Sequence, residues 1–182
     1  ALAKSLPIDK LINHIYNDLS MLSLNGANGQ NLTRLYEMAR RFESGSFKGL
    51  NNFISYINEL IESDRLDIDR SDKRYAYHDP CELGRAFGIF DEPRNVIDNI
   101  GLLTQGKSDR DMSVCCGGSI ASLTMTNEER DEITRNSIKD LTLNQPDEIV
   151  TACPLCLKTF ARLSHIEVKD IAEIVAENIN EQ

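Results

Sequence analysis

The sequence predicts an α/β domain with a mainly parallel, Rossmann-like sheet, preceded by a small all-α helical unit. Apolar residues recur at helical spacing in residues 1–65, and a charged stretch follows at 66–73. Short apolar strands then alternate with helical segments over residues 74–182. We therefore expect two domains, 1–65 and 74–182, joined by a linker at 66–73.

Three amphipathic helices are predicted in the N-terminal unit. Their apolar stripes lie in residues 8–19, 32–42 and 50–61, with glycine-containing turns at 25–29 and 45–49. The stripes can pack against one another and form an apolar core of their own. The unit contains no cysteine, so we expect it to supply no metal ligand.

From residue 74 the alternation of strands and helices indicates parallel strands with right-handed crossovers. The predicted strands are 74–78, 111–114, 148–151 and 166–169. The predicted helices start near Asp91, at Thr126, around Pro154 and near Ile171. Thr126 forms a capping box with Glu129, and Pro154 suits the first turn of a helix.

All five cysteines fall after residue 80, in three groups: Cys81, then Cys115 with Cys116, then Cys153 with Cys156. Each group follows a predicted strand, and the carboxyl ends of parallel strands form one edge of a sheet. We therefore expect the five thiols to converge on one pocket at this edge. Helix starts and glycine amides favour the thiolate, which is the form that binds metal.

An odd, clustered set of cysteines indicates metal chemistry in a reducing compartment, the cytoplasm, rather than a disulfide framework. A tetrahedral zinc site would use four thiolates and leave one spare. Sites built from thiolates suit zinc and iron–sulfur clusters alike. The spacing alone leaves both metals open.

The composition argues against several functions. A net charge of −9 and a pI near 4.8 disfavour binding to nucleic acid. No apolar run approaches the roughly 20 residues of a membrane span, and no signal peptide is visible, so we expect neither a membrane span nor secretion. The phosphate loop of a helicase is also missing. Oligomerisation remains open.

Four short sequence motifs, here called words, lie at or near the cysteines. In chain order they are 77–85 (YHDPCELGR), 91–94 (DEPR), 115–118 (CCGG) and 151–156 (TACPLC). Over residues 73–182 they resemble the cysteine-rich CCG domain found in the B subunit of heterodisulfide reductase and in its relatives. Those relatives include the iron–sulfur subunits of lactate, glycolate and anaerobic glycerol-phosphate oxidoreductases.

The resemblance implies a non-cubane [4Fe-4S] cluster for electron transfer or disulfide reduction, bound by Cys81, Cys115, Cys116, Cys153 and Cys156. It also implies other redox subunits as partners, flavin-containing or ferredoxin-like. Relatives usually carry two copies of the cysteine motif, and one copy is visible here. The chain is therefore expected to be one component or domain of an oxidoreductase rather than a complete enzyme.

Five further residues within these words are candidates for contact with a substrate or with the metal ligands: His78, Arg85, Arg94, Gly117 and Gly118. The imidazole could act as a general acid or a ligand, or it could be bonded to a backbone carbonyl at the strand end. The arginines could bind a substrate carboxylate or offset cluster charge. Their alternative role is an ordinary ion pair with Asp79, Asp91 or Glu92.

The N-terminal words 31–43 (NLTRLYEMARRFE) and 46–50 (SFKGL) resemble a helical stretch in the A subunit of AddAB-type helicase–nucleases, over about residues 6–62. The sequence leaves open a natural fusion, an engineered chimera and a chance helical match. Two alternative functions follow. One is a zinc-stabilised, non-catalytic module, and the other is a DNA-repair interaction module based on these helices.

Overall fold

A computed structural model of the chain describes residues 56, 59–60, 68–118 and 124–179. The chain divides into two compact units, residues 1–69 with 172–182 and residues 70–171. The predicted N-terminal helices lie outside the described residues except at Tyr56, Glu59 and Leu60, which are helical. The predicted domain boundaries and linker stay a prediction.

A four-stranded parallel sheet forms the centre of the second unit, which confirms the predicted fold class. The strands are β1 (Arg74–His78), β2 (Leu102–Thr104), β3 (Glu148–Thr151) and β4 (Glu167–Asp170). Their order is β2-β1-β3-β4, and every neighbouring pair is parallel. The central strands β1 and β3 are almost wholly buried. Burial of both faces explains why these strands lack an alternating polar pattern.

The described ranges contain four α-helices: α1 (Asp91–Ile100), α2 (Asn127–Leu141), α3 (Pro154–Ala161) and α4 (Ile171–Asn178). The predicted caps are confirmed, because Thr126 and Glu129 form a capping box and Pro154 begins α3. After its first residue α4 belongs to the first unit, where Ile68 forms an antiparallel bridge with Ile179. None of these helices combines the length and apolarity needed to cross a bilayer.

One predicted strand is wrong. Residues 111–114 are not a strand, and the second strand is instead Leu102–Thr104. Arg110–Met112 forms a 3-10 turn. Arg85 donates hydrogen bonds to the carbonyls of Ser113 at 2.8 Å and Asp111 at 3.4 Å. These carbonyls are thus bonded to a side chain rather than to a neighbouring strand.

The apolar core on one face of the sheet contains two of the cysteines. Side chains from β1, β3, α2 and α3 form one cluster with Cys116 and Cys156, namely Ala76, Ile138, Leu141, Ile149 and Phe160. Both thiols are 3% exposed. Cys116 and Cys156 therefore belong both to the apolar core and to the thiol site.

A buried ion pair joins the end of β1 to α1. Arg94 donates hydrogen bonds of 2.6 and 2.7 Å to the two carboxylate oxygens of Asp79, and a third of 2.7 Å to the carbonyl of Phe90. The side chains of Arg94 and Asp79 are 6% and 2% exposed. Asp79 also accepts the backbone N–H of Arg110, whose φ is 55°, a left-handed conformation rare for arginine. One carboxylate therefore connects the strand, the helix and the 3-10 turn.

The replacement Arg94→Met should destabilise the fold by about 3 kcal/mol or more, because it leaves the Asp79 carboxylate buried without its cation. Arg162→Met is the matched control. Arg162 is 55% exposed in its pair with Asp131, and such surface pairs contribute less than about 1 kcal/mol. Urea unfolding followed by circular dichroism measures both losses. Equal losses would contradict the structural importance of the buried pair.

Candidate metal centre

Four of the five cysteines come together beside the carboxyl ends of β1 and β3. The Sγ atoms of Cys116 and Cys156 are 3.3 Å apart. Cys115 interacts with Cys116 through its side chain, and Cys153 interacts likewise with Cys156. A group of sulfur donors therefore lies at the sheet edge where parallel α/β folds bind ligands.

Cys81 follows soon after β1 in the chain. It precedes the π-helical turn Glu82–Ala86 and is half-buried, and its carbonyl accepts the backbone N–H of Ala86 at 3.2 Å. The turn packs against Phe90, because a Cβ at Gly84 would lie 2.7 Å from the ring of that residue. The participation of Cys81 in the shared site stays a prediction.

Helix α2 fixes the loop that carries Cys115 and Cys116. The hydroxyl of Thr134 donates to the carbonyl of Cys116 at 2.8 Å, and the hydroxyl of Ser137 donates to the carbonyl of Val114 at 3.4 Å. Gly117 has a φ of 86°, and a Cβ there would lie 2.7 Å from the Thr134 hydroxyl. Glycine is therefore required both by the backbone conformation and by the close approach of α2.

Thr134 and Ser137 are not among the residues predicted from the sequence. Both are buried on α2 together with Ile138 and Leu141. Two hydroxyl groups on an otherwise apolar helix face need hydrogen-bond partners outside the apolar core. The sequence shows these two hydroxyl residues among the apolar positions of the helix, but it does not identify the carbonyls that accept their hydrogen bonds.

Glycine amides donate to the adjacent sulfurs. Gly117 N–H donates to Cys115 Sγ and Gly118 N–H donates to Cys116 Sγ, each at 3.4 Å. Hydrogen bonds to the charged form of a thiol favour that form. The amides of the CCGG word therefore stabilise thiolates in the position expected of metal ligands.

Two neighbouring core thiols have opposite pKa shifts. The pKa of Cys116 lies well below its ordinary value, because the side chains of Cys115 and then Cys156 stabilise its thiolate, and His78 and the Gly118 amide add to the effect. The pKa of Cys156 is raised well above the ordinary value, because its proton is held in hydrogen bonds to Cys116 and Cys153 and because it is buried. One thiolate and one thiol therefore share the buried contact.

Cys153 lies just before the first residue of α3. Its pKa falls from 9.0 to about 7, first because of its hydrogen bond with Cys156, with the amides of Cys156 and Leu155 acting in the same direction. A thiol at a helix start is expected to ionise readily. Cys153 is therefore about half ionised at pH 7, and a metal that binds it there displaces less than one proton from this thiol.

His78 places an imidazole next to the sulfurs. One ring nitrogen lies within 4.8 Å of the Sγ atoms of Cys116 and Cys156. The residue is 2% exposed, and its Nδ1 has no hydrogen-bond partner in the described part of the chain. Nδ1 therefore forms no hydrogen bond to a backbone carbonyl.

The two candidate arginines hold the cysteine-bearing segments together. Arg85, in the turn after Cys81, donates to carbonyls of the loop that leads to Cys115. Arg94 forms the buried ion pair with Asp79, which was the alternative role expected from the sequence. Contact of either guanidinium with a substrate stays a prediction.

In the metal-free, reduced protein, Cys153 should react with iodoacetamide with a pH midpoint near its pKa of about 7. A thiol with the ordinary pKa of 9.0 would show the midpoint about 2 units higher. Peptide mass spectrometry of chains labelled between pH 5.5 and 9.5 measures the rate at this cysteine alone. Urea-unfolded chain is the control, in which the midpoint should return to the ordinary value. The same midpoint in folded and unfolded chain would contradict the lowered pKa of Cys153 and the hydrogen bonds from which it arises.

Both resemblances predicted from the sequence are found among known proteins. The A subunit of an ATP-dependent helicase/nuclease from Clostridium beijerinckii is 33% identical over 123 residues, covering 53% of this chain and 10% of that protein. Another relative is a D subunit of a heterodisulfide reductase. That protein, the D subunit of the dihydromethanophenazine:CoB–CoM heterodisulfide reductase from Methanosarcina acetivorans, is 29% identical over 130 residues.

The alignment covers 67% of this chain and 32% of the heterodisulfide reductase protein. A probable membrane-anchored ferredoxin from Chromohalobacter salexigens is 34% identical over 130 residues, covering 67% of this chain and 19% of that protein. The chain thus spans about a third or less of the length of these relatives. Residues 75–161 match the cysteine-rich domain family CCG. The matched part of the chain holds all four of the clustered cysteines and Cys81 and is similar to the cysteine-rich domains of the CCG family.

Proposed function

We propose that the chain is an iron–sulfur redox module in which five cysteines bind a non-cubane [4Fe-4S] cluster: Cys81, Cys115, Cys116, Cys153 and Cys156. The observation that carries this proposal is the buried contact of 3.3 Å between the sulfurs of Cys116 and Cys156. Cys115 interacts with Cys116, and Cys153 interacts with Cys156, through their side chains. An isolated buried cysteine usually serves as a small apolar residue. Four that interact through their thiols support a metal centre instead.

The donor set fits such a cluster. Iron–sulfur clusters are held by cysteine thiolates, and the glycine amides and the start of α3 favour thiolates here. Zinc needs four ligands in a tetrahedron. The proposed site has five cysteines, so a single zinc ion would leave one of them unused. A larger cluster can bind all five, which gives the fifth cysteine a role.

When bound, such a cluster takes up and releases electrons at a potential set by its ligands, hydrogen bonds and exposure. The residues of the chain would perform three tasks around it. The cysteines bind the metal. Asp79, Arg85 and Arg94 keep the cysteine-bearing segments at fixed positions. The apolar core around Cys116 and Cys156 excludes water from the inner side of the site.

The names of the relatives support a part in electron transfer or disulfide reduction within a larger oxidoreductase, with a flavin-containing or ferredoxin-like partner. Exposed apolar side chains support a docking surface close to the cysteines. Phe87, Met112 and Leu155 are 42%, 73% and 46% exposed, and each comes from a segment that carries a cysteine group. Such patches mark sites of protein association. The five cysteines are free thiols, which supports a reducing compartment, the cytoplasm.

Cys115→Ser and Cys116→Ser should each remove most of the iron from anaerobically prepared protein and bleach its visible absorption, because each removes a ligand. Leu155→Ala is the matched control, since it alters the C-x-x-C word at an exposed side chain and should keep its iron. Iron, acid-labile sulfide and zinc per chain are the quantities to measure, with circular dichroism to check the fold.

The alternative is a zinc-stabilised module without redox function. If either serine variant keeps a full complement of metal, and that metal is zinc, the alternative holds and the redox proposal is wrong.

A further inference from the structure

The ring of His78 is held in one orientation beside the thiols. His78 is the last residue of β1, and its ring meets that of Phe160 edge-on, with centroids 4.7 Å apart and planes at 84°. Phe160 is fully buried, and edge-to-face pairs of this kind prefer a defined geometry. The ring therefore presents a fixed nitrogen toward Cys116 and Cys156, within 4.8 Å of their sulfurs.

A second polar side chain lies next to His78 in the sheet. Thr151, the last residue of β3, is paired with His78 in the parallel register, and paired residues project to the same face. Thr151 is fully buried, and its Oγ1 and the Nδ1 of His78 both lack a hydrogen-bond partner within the described ranges. The two atoms are therefore not bonded to each other, and the orientation of the His78 ring depends on its packing against Phe160 rather than on a hydrogen bond at Nδ1.

We propose that His78 is a positioning residue whose ring N–H donates to the sulfur of Cys116, and that this bond raises the reduction potential of the cluster. Reduction adds negative charge, which a hydrogen bond to a ligand sulfur stabilises more than it stabilises the oxidised form. Burial strengthens the bond, because few competing dipoles are present.

In the metal-free chain His78 also helps to lower the pKa of Cys116, which means that the ring stabilises negative charge on this sulfur. The assignment rests on the proposed function. It adds one residue that changes the reduction potential of the cluster without being a metal ligand.

The test compares cluster-loaded variants by redox titration with spectroscopic detection. His78→Leu removes both nitrogens and should make reduction at least tenfold less favourable, a shift of about 59 mV to lower potential for a one-electron couple. His78→Asn and His78→Gln place an amide N–H near the position of one or the other ring nitrogen, so one of them should restore most of the potential. His165→Leu is the control, because His165 is exposed.

A cluster of unchanged potential in His78→Leu would overturn the assignment while leaving the proposed function intact. A wild-type chain that takes up no iron would instead contradict the proposed function. If His78→Leu does not fold, the metal-free wild-type chain supplies the test through long-range ¹H–¹⁵N spectra of its imidazoles. A ring proton held on one nitrogen of His78 supports the bond to Cys116, and an even mixture of tautomers overturns it.

Discussion

The carboxylate of Asp79 joins three parts of the chain that carry or support the thiol site. It accepts two hydrogen bonds from Arg94 on α1 and one from the backbone of Arg110 in the 3-10 turn. It also lies two residues before Cys81. Removing a carboxylate and a guanidinium from water is costly, and the cost is offset only when both groups are well paired. Such a pair contributes a fixed geometry more than net stability, and a multi-ligand metal site depends on fixed geometry.

The second constraint is the burial of negative charge in an apolar core. A thiolate at Cys116 is surrounded by Ala76, Ile149 and Phe160 in the same cluster, and a charge there needs compensation. The compensation comes from short-range donors, namely the Gly118 amide and the thiol of Cys156. The fold holds these donors in place, so the thiolate is already stabilised, and ready to bind a cation, before a metal binds.

Much of this arrangement follows from local sequence rules. The runs YAY and IVT predict buried central strands, and they lie within β1 and β3. The strands place His78 and Thr151 at one sheet edge, and the caps at Thr126 and Pro154 start the helices that cover the core. The short edge strand β2 has only three residues and no buried side chain, so periodicity does not reveal it. The segment 111–114 resembles a strand because of the apolar pair Met112 and Val114, but its conformation depends on Arg85, 28 residues before Ser113 in the chain. Local sequence patterns do not predict long-range hydrogen bonds of this kind.

The central claim is that the clustered cysteines and Cys81 surround one iron-containing group. Anaerobic crystals of the full chain, measured on both sides of the iron absorption edge, test it directly. We expect an anomalous iron peak spanning several metal positions, bounded by the sulfurs of Cys81, Cys115, Cys116, Cys153 and Cys156, at metal–sulfur distances of about 2.3 Å. A single zinc position with four sulfur ligands, or iron bound away from the carboxyl ends of β1 and β3, would contradict it.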